Sequence, residues 1–338
     1  MPRINRPALA FMLLFLAGCG NGTVIGSGPT PTTPPVTPSV TFEYPVPTAG
    51  AHPATVVTQN GYLYFTEQAA SKIGQLTTGG AVTELATKTA NAGPTSIIAG
   101  PDGNLWWTEA SIHSIATSGS GFTAAGFTEY NIPFAGSLPN FMTRGAASGS
   151  MYFTDPGANA IGEILTSGAV SGPFAIPTAG SNPQGIAVGP DNNIWFTEFN
   201  TNKIGILNSA TNAITEIPVS AGSHPDILVQ GADGAMWFTE DIAGAPKLGR
   251  MTSTHSYSEF ALTGAQSAVG LAVDLYGDLA VTDSAGSAIG IFKLSSQTYA
   301  SYPTKTASAS PLWITVGPEG KLYFTEFAAD KIGQFSYF

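Results

Sequence analysis

A motif of four residues recurs seven times along the chain at almost constant intervals. In its full form an aromatic pair is followed by Thr and an acid, as in Trp106-Trp107-Thr108-Glu109. The seven motifs end at Glu67, Glu109, Asp155, Glu198, Glu240, Asp283 and Glu326. Successive acids are 42, 46, 43, 42, 43 and 43 positions apart. A period of about 43 residues is the length of one four-stranded blade, so the repeat predicts an all-β, seven-bladed β-propeller over residues 41–338.

Each unit contains four short runs of β-branched, aromatic and small apolar residues, the types that half-buried strands prefer. In the fourth unit these runs are Gly185–Val188, Ile194–Glu198, Lys203–Ile206 and Ile214–Ile217. The first run is made of small apolar residues, as a crowded inner strand requires. The turn Gly189–Asn193 contains Pro, which presets φ, and Asn, which tolerates a left-handed backbone. We therefore expect four antiparallel strands in every blade.

The two ends of the repeat region indicate a closed ring. The last unit stops at Phe338, directly after its third strand (Lys331–Phe335), and has no outer strand of its own. The segment Thr41–Tyr44 matches the outer-strand pattern of Phe127–Tyr130. We expect this N-terminal segment to complete the last blade, because closure removes the exposed sheet edges that lead to aggregation. The alternative, an open solenoid, requires polar capping repeats, and the sequence shows none.

The composition agrees with an all-β protein and excludes one class of function. The chain is 43% hydrophobic and contains 40 Gly and 25 Pro, which allows a large core and many turns. The 22 acidic residues outnumber the 12 Lys and Arg, which gives a formal net charge of −10. Nucleic-acid binding needs a basic patch. The sequence has no cluster of Lys and Arg, so we expect no nucleic-acid partner.

Residues 1–18 have the pattern of an export signal. Arg3 and Arg6 precede an apolar run of 11 residues, Ala8–Gly18. The run is too short to cross a bilayer as a helix, for which about 20 residues are needed. It ends at Cys19, the only cysteine of the chain. The segment Leu16–Cys19 resembles the lipobox of bacterial lipoproteins, which are cut before the cysteine and acylated on its thiol. The alternative is an ordinary signal peptide with a chance cysteine.

Residues 19–40 contain the predicted acylation site and a linker rich in Pro and Thr. Because Pro fixes φ and removes a hydrogen-bond donor, neither helix nor sheet is favoured there. We expect a tether between the propeller and a membrane, with the acyl chains on Cys19 as the anchor. Cys19 is followed by Gly20 rather than Asp, which resembles lipoproteins sent to the outer membrane of Gram-negative bacteria. We predict a monomer in the bacterial cell envelope, at the outer membrane or cell surface.

The amino-acid sequence of the repeat resembles that of one known family. Gly100–Glu109 reads GPDGNLWWTE, and the tripeptide Lys-Ile-Gly recurs at 203–205 and 331–333. These segments are similar to those of the virginiamycin B lyase (streptogramin lyase) family, and the resemblance covers residues 41–338. It implies a seven-bladed propeller that opens the cyclic depsipeptide of streptogramin B by elimination across its ester bond. It also implies Mg²⁺ as cofactor and a histidine as base.

The resemblance places the histidines of the last two blades after the Pro that begins most inner strands, with a Glu two residues before the final one. This sequence has Val269 and Leu312 at those two positions, and Ser310 in place of the Glu. Only Glu326, the motif acid of the last blade, matches. An apolar side chain cannot abstract a proton. These positions therefore do not support the lyase mechanism.

The inner-strand starts nevertheless suggest a binding site. Read blade by blade, the equivalent positions hold Ala54, Thr95, Asn140, Gln184, Asp226, Val269 and Leu312. Asn140, Gln184 and Asp226 form a polar arc that faces an apolar arc, and Trp313 lies on an inner strand close by. Apolar walls with a few convergent polar groups are typical of ligand pockets. We expect a small molecule or a protein to bind at this channel face.

The seven motif acids allow two interpretations. They could form a ring of carboxylates at the channel mouth that attracts Mg²⁺ or Ca²⁺, whose ligands are oxygen atoms. Alternatively, each acid pairs within its own blade, often with a lysine five residues later. Such lysines are Lys72, Lys203 and Lys331.

An enzymatic alternative is a metal-dependent lyase or lactonase with relocated catalytic groups. Its candidate catalytic residues are Asp226, His224 and Glu326, and its candidate metal ligands are Glu240 and Glu326. His224 and His52 each precede an inner-strand Pro. They could bind a metal as a pair or be solvated loop residues.

Overall fold

A computed structural model describes residues 37–119 and 121–336 of the chain. These residues form 28 strands in seven four-stranded antiparallel sheets, which confirms the predicted propeller. The predicted signal peptide, Cys19 and most of the linker lie outside the described residues. Within the described part of the chain, no helix combines the length and the hydropathy that crossing a membrane requires.

The strands follow the chain from the channel outwards in each blade. The first strand, β1 (Ser39–Pro45), is the exception, because it belongs to blade 7. Blade 1 consists of β2 (Pro53–Gln59), β3 (Tyr62–Glu67), β4 (Lys72–Leu76) and β5 (Val82–Ala86). Blade 2 consists of β6 (Pro94–Ala99), β7 (Leu105–Glu109), β8 (Ser114–Thr117) and β9 (Thr128–Asn131). Blade 3 consists of β10 (Met142–Arg144), β11 (Ser150–Asp155), β12 (Ala160–Leu165) and β13 (Val170–Ala175).

The remaining four blades repeat this order. Blade 4 consists of β14 (Pro183–Val188), β15 (Ile194–Glu198), β16 (Lys203–Leu207) and β17 (Ile214–Pro218). Blade 5 consists of β18 (Pro225–Gln230), β19 (Met236–Glu240), β20 (Lys247–Met251) and β21 (Tyr257–Ala261). Blade 6 consists of β22 (Leu271–Val273), β23 (Leu279–Asp283), β24 (Ala288–Lys293) and β25 (Thr298–Pro303). Blade 7 consists of β26 (Pro311–Val316), β27 (Leu322–Glu326), β28 (Lys331–Ser336) and β1. Two single-turn 3₁₀ helices, Ala110–Ile112 and Ala124–Gly126, lie in blade 2.

The ring closes as predicted, through the two ends of the repeat region. Strand β1 pairs antiparallel with β28, with Tyr44 opposite Ile332. The ammonium of Lys331 forms an ion pair with Glu43 of β1 at 3.0 Å. Inner strands β2 and β26 contact each other, so blade 7 packs against blade 1. The first strand begins at Ser39, two residues before the predicted start of the propeller.

The core lies between neighbouring blades, and its packing explains which residue types recur in the repeat. Trp195 of blade 4 and Phe238 of blade 5 are fully buried in one apolar cluster. Within blade 4, the ring of Phe196 covers Gly205 of β16, and a Cβ on that glycine would lie 2.1 Å from Phe196 Cζ. A side chain at the glycine of Lys-Ile-Gly would therefore displace the aromatic residue of the motif.

Candidate ligand-binding site in the central channel

A bulge at the start of the inner strands presents residues to the channel. In blade 4, Pro183 lies opposite Glu198 and Ile186 opposite Phe196, so β14 has one residue more than β15 in this interval. The same irregularity follows Pro53, Pro94, Pro225 and Pro311. A bulge bends the strand locally and redirects its side chains. The residue after each Pro is therefore held at the channel face by the fold itself.

The Thr of the repeat motif joins neighbouring blades at this point. Thr325 accepts a hydrogen bond from the backbone N–H of Trp313 in its own blade at 3.0 Å. Its hydroxyl donates to the backbone carbonyl of Ala54 in blade 1, also at 3.0 Å. The corresponding bonds to the next blade are Thr66–Thr95, Thr108–Asn140, Thr197–Asp226, Thr239–Val269 and Thr282–Leu312. These threonines fix the backbone of the residues that face the channel.

No role was predicted for this threonine, although it recurs in all seven motifs. Blade 3 is the exception to the arrangement, because the Thr154 hydroxyl lies 3.5 Å from the carbonyl of Phe141 in its own blade. The presence of Thr282 in the motif of blade 6, which lacks the aromatic pair, is the sequence signal that could have indicated this bond between blades. There the aromatic pair has been replaced by Ala280 and Val281, while the hydroxyl still reaches Leu312.

A cavity of about 130 Å³ lies at the centre of the ring. It is lined by Ala54, Thr55, Gln68, Thr95, Phe141, Asp226, Ile227, Val269, Leu312 and Trp313. An apolar cavity of about 150 Å³ accommodates a benzene molecule. The cavity can therefore accept one aromatic ring or a branched aliphatic group.

Two aromatic rings from distant blades meet across the channel. Phe141 precedes the inner strand of blade 3, and Trp313 lies on the inner strand of blade 7. Their rings stack with centroids 5.2 Å apart and an angle of 15° between their planes. Blades 3 and 7 are not neighbours, so the pair bridges the channel and forms one wall of the cavity. Trp313 was predicted to lie at this site, whereas Phe141 was not.

Asp226 is the charged residue in the cavity lining. Its side chain is half-buried, and in the described part of the protein no group donates a hydrogen bond to its carboxyl oxygens. Burial raises the pKa of Asp226 to about 7, and the negative charge of Asp241 adds to this. A carboxyl group with a raised pKa in an apolar cleft is a candidate functional group.

The other two members of the predicted polar arc lie beside the cavity rather than in its lining. The side-chain amide of Asn140 donates to Oε1 of Gln184 at 2.7 Å, across the boundary between blades 3 and 4. Gln184 in turn donates to Oδ1 of Asn182 at 3.0 Å. The two amides bond to each other, whereas Asp226 faces the cavity without a protein donor.

The motif glutamates lie inside the blades. Glu240 and Glu326 have no exposed surface and do not line the cavity. Burial raises the pKa of Glu240 to about 7 and that of Glu326 to about 8. Glu240 accepts a hydrogen bond from the hydroxyl of Tyr257. The predicted ring of carboxylates at the channel mouth is therefore wrong, because these side chains are withdrawn from the channel.

The other interpretation, pairing within the same blade, is confirmed for Glu109 with Trp107 and for Glu198 with Thr201, but the predicted lysine partners are wrong. The lysine ammonium groups bond to glutamates of the outer strands instead, at 2.8–3.0 Å. These pairs are Lys72–Glu84, Lys203–Glu216, Lys247–Glu259 and Lys331–Glu43. The outer-strand carboxylate is closer to solvent than the motif acid, so the lysine charge is compensated there at a lower desolvation cost.

The histidines that precede inner-strand prolines also lie away from the cavity lining. The ring of His224 packs on Phe199 with centroids 5.0 Å apart, and its Nδ1 lies 3.2 Å from the carbonyl oxygen of Phe199. His52 packs on Phe327 in the same way, at 4.5 Å. In the described ranges, no three His, Cys, Asp or Glu residues come close enough to hold a metal ion. The donor groups of these ranges therefore do not fit a Mg²⁺ centre.

Comparison with solved structures finds strong similarity to lyases of one type. A streptogramin B lyase superimposes with a TM-score of 0.80 at 28% identity, covering 87% of this chain and 96% of the other. Virginiamycin B lyase from Staphylococcus aureus gives the same TM-score and identity, covering 88% and 99%. A catalytically inactive histidine-to-alanine variant of the S. aureus enzyme with quinupristin matches with a TM-score of 0.80 at 27% identity, again covering 88% and 99%. No curated protein matched the chain.

A comparison with family models gives the same assignment. The model of the Virginiamycin B lyase family matches residues 36–172 and 147–337, which together span the whole propeller. The matched residues include β1, all seven blades and the Lys-Ile-Gly segments at 203–205 and 331–333. The chain therefore belongs to the virginiamycin B lyase family.

Proposed function

We propose that this propeller binds an apolar ligand at its channel face and does not cleave it. The observation that carries the proposal is the composition of the central cavity. Val269 and Leu312, which stand where the family resemblance places histidines, form part of its wall. Neither side chain has an atom that accepts a proton, so the elimination has no base at these positions. The remaining cavity is suited to an aromatic or branched aliphatic group.

The ligand class follows from the shape of the cavity and from one relative. The walls are mostly apolar and include the ring pair Phe141–Trp313, and aromatic faces favour other rings. A variant of the S. aureus lyase has been solved with quinupristin. We propose that this chain takes a ligand of similar character, such as an apolar cyclic peptide, with one side chain inserted into the cavity.

The metal-dependent lyase is less well supported. Its proposed groups are Asp226, His224, Glu240 and Glu326. Only Asp226 lines the cavity; Glu240 and Glu326 are fully buried, and His224 packs on Phe199. A Mg²⁺ ion requires near-octahedral oxygen ligands, which the described residues do not gather. No observation therefore favours an elimination at this site.

Quinupristin provides a direct test. Trp106, Trp107, Trp195 and Trp237 are at most 2% exposed, whereas Trp313 lines the cavity. We expect quinupristin to change the tryptophan fluorescence of the wild-type protein and to have no such effect on Trp313→Phe. Elimination opens the ring without changing the mass, so chromatography should be used to separate cyclic and linear forms. We expect the cyclic form to persist in the presence of Mg²⁺.

Two results would contradict the proposal. Enzyme-dependent appearance of the linear form would show that the chain is a lyase after all. A fluorescence response that is equal in the wild type and in Trp313→Phe would place any binding outside the cavity. Circular dichroism of the variant controls for its fold.

We also propose that the protein is anchored in the bacterial cell envelope, at the outer membrane or cell surface, by acyl chains on Cys19. The support is the sequence Leu16–Cys19 after an apolar run, followed by a Pro-rich linker. We expect Cys19→Ser to move the protein from the membrane fraction to the soluble fraction. The control variant Ser27→Ala, in the linker, should remain in the membrane fraction. Membrane association of Cys19→Ser would contradict the lipoprotein assignment.

A further inference from the structure

We infer that the ligand of the central cavity carries an organic ammonium group, which is held between the carboxylate of Asp226 and the aromatic pair Phe141–Trp313. This inference rests on the proposed function, since it names the chemistry that the cavity selects. It commits to a cation with apolar substituents, as opposed to a neutral ligand or an inorganic ion.

The charge of the lining is of one sign. The residues around the cavity include Asp226 but neither Lys, Arg nor His. Asp241, which follows β19 in the same blade, acts on Asp226 with a further negative charge. A cavity with low-dielectric walls and charges of one sign concentrates ions of the opposite sign. The electrostatic field at this site therefore favours a cation.

The carboxyl group of Asp226 has no hydrogen-bond donor among the described residues, and Ala54, Val269 and Leu312 add apolar surface to the same cavity. The side chain is half-buried, and even partial burial of a charge without a partner is unfavourable. The pKa of Asp226 is raised accordingly. A ligand that brings a positive charge removes this cost, so its binding is coupled to ionisation of the aspartate.

The aromatic wall favours an organic cation over a metal ion. Trp313 is the aromatic residue type that attracts cations most strongly through its ring face, and attraction increases when the cation is desolvated. Apolar substituents of an ammonium group can contact Ile227 and Val269, which also line the cavity. A metal ion would instead need several oxygen ligands, which carboxylates supply best, whereas the lining has one carboxylate beside the neutral side chains of Thr55, Gln68 and Thr95. The combination of one acid with aromatic and aliphatic surface is suited to an alkylated ammonium.

A matched pair of probes tests the inference. Phenyltrimethylammonium and tert-butylbenzene have the same shape, with nitrogen in the first where the second has carbon. Titration at pH 8, followed by tryptophan fluorescence and calorimetry, should show the cation binding at least about tenfold more tightly. We expect this preference to disappear in Asp226→Asn. It should persist in Glu163→Gln, which makes the same charge change in β12, outside the cavity lining.

Each outcome decides the inference. If tert-butylbenzene binds as tightly as the cation to the wild-type protein, the ammonium inference is overturned and the proposed binding of apolar ligands stands. If neither probe changes the Trp313 signal, both the inference and the proposed function fail. Displacement of phenyltrimethylammonium by an equal concentration of Mg²⁺ would identify an inorganic cation site and also overturn the inference. The comparison of probes on the wild type stands even if Asp226→Asn does not fold.

Discussion

Glu67 and Asp155 occupy the same position of the repeat, yet their carboxyl groups are stabilised in different ways. Glu67 is fully buried, and neither of its oxygens accepts a hydrogen bond from the described residues. Burial raises its pKa to about 8, and the negative charge of Glu84 contributes to this. The carboxylate of Asp155 accepts bonds from the Ser137 hydroxyl at 2.5 Å and from the backbone of Leu138 at 2.8 Å. The same repeat position thus holds a carboxyl group with a raised pKa in blade 1 and a hydrogen-bonded carboxylate in blade 3.

The residues on the third and outer strands next to these two acids also differ between blades 1 and 3. The blade with Glu67 carries Lys72 on its third strand and Glu84 on its outer strand, and these two form an ion pair at 2.9 Å. In blade 3 the position of the lysine is taken by Ala160. Without the lysine and the outer glutamate, the shorter Asp turns toward the backbone of its own loop.

Stability should therefore depend on pH through Glu67. Its pKa in the folded state, about 8, lies above the ordinary glutamate pKa of 4.5. The contribution of the neutral acid is complete below pH 4.5 and is lost as the pH rises through 8. Between pH 4.5 and pH 8, the wild-type protein should lose up to about 1.4 kcal/mol of unfolding free energy per pH unit through this group. We expect Glu67→Gln to lack this part of the loss. Urea unfolding of both proteins at pH 5 and pH 8 measures the difference.

Asp155→Asn is the matched control for this experiment. Its amide cannot replace a carboxylate that accepts several bonds, so we expect a loss of about 1–3 kcal/mol in the free energy of unfolding at both pH values. An equal loss for Glu67→Gln at pH 8 would show that Glu67 is ionised and bonded in the folded protein.

At the scale of elements, the threonine bonds hold neighbouring blades together. Thr325 contacts the inner strands of blades 7 and 1 through a single hydroxyl. Replacement by Val keeps the shape and leaves two buried backbone groups without this partner. We expect Thr325→Val to cost about 1–3 kcal/mol of unfolding free energy, measured by chemical denaturation.

Thr83→Val is a suitable comparison for that variant. Thr83 is exposed on the outer strand β5, and substitutions at exposed positions usually change stability by less than about 0.5 kcal/mol. If both variants lose the same stability, the bond between blades 7 and 1 contributes nothing.

Strand positions could be read from the sequence because each is encoded within its own unit. The second strand of blade 4 was predicted at Ile194–Glu198, as observed, while its inner strand begins at Pro183 rather than Gly185. The difference is the bulge, whose pairing depends on the neighbouring strand. The threonine bonds were not predicted, because they depend on how two blades approach each other.

At the scale of the molecule, the ring was predictable and the details of its centre were not. Closure followed from a missing outer strand at one end and a matching segment at the other. Asp226 and Trp313 could be selected because repeat position places them near the axis. Phe141 could not, because its role comes from a stack with Trp313 across the channel. The buried state of Glu326 was missed because the repeat gives position along a strand but not depth within a blade.

Truncation tests the closure. We expect removal of residues 1–36 to leave the melting temperature unchanged, since β1 begins at Ser39. Removal of residues 1–45 deletes β1 and exposes the edge of β28, so we expect a lower melting temperature and aggregation. Thermal circular dichroism and size-exclusion chromatography measure both effects. A soluble monomer with unchanged melting temperature after the longer truncation would contradict the closure.

The pairing of β1 with β28 also determines when the molecule can be finished during biosynthesis. Phe42–Tyr44 are made early, but their partners around Ile332 are made nearly 300 residues later. Pairings so distant along the chain form slowly. Until β28 has been made, β1 lacks its partner and one edge of β27 is open. A product that terminates before β28 keeps both exposed edges, and such species are prone to aggregate. The seventh blade can therefore form only after both ends of the repeat region have been synthesised.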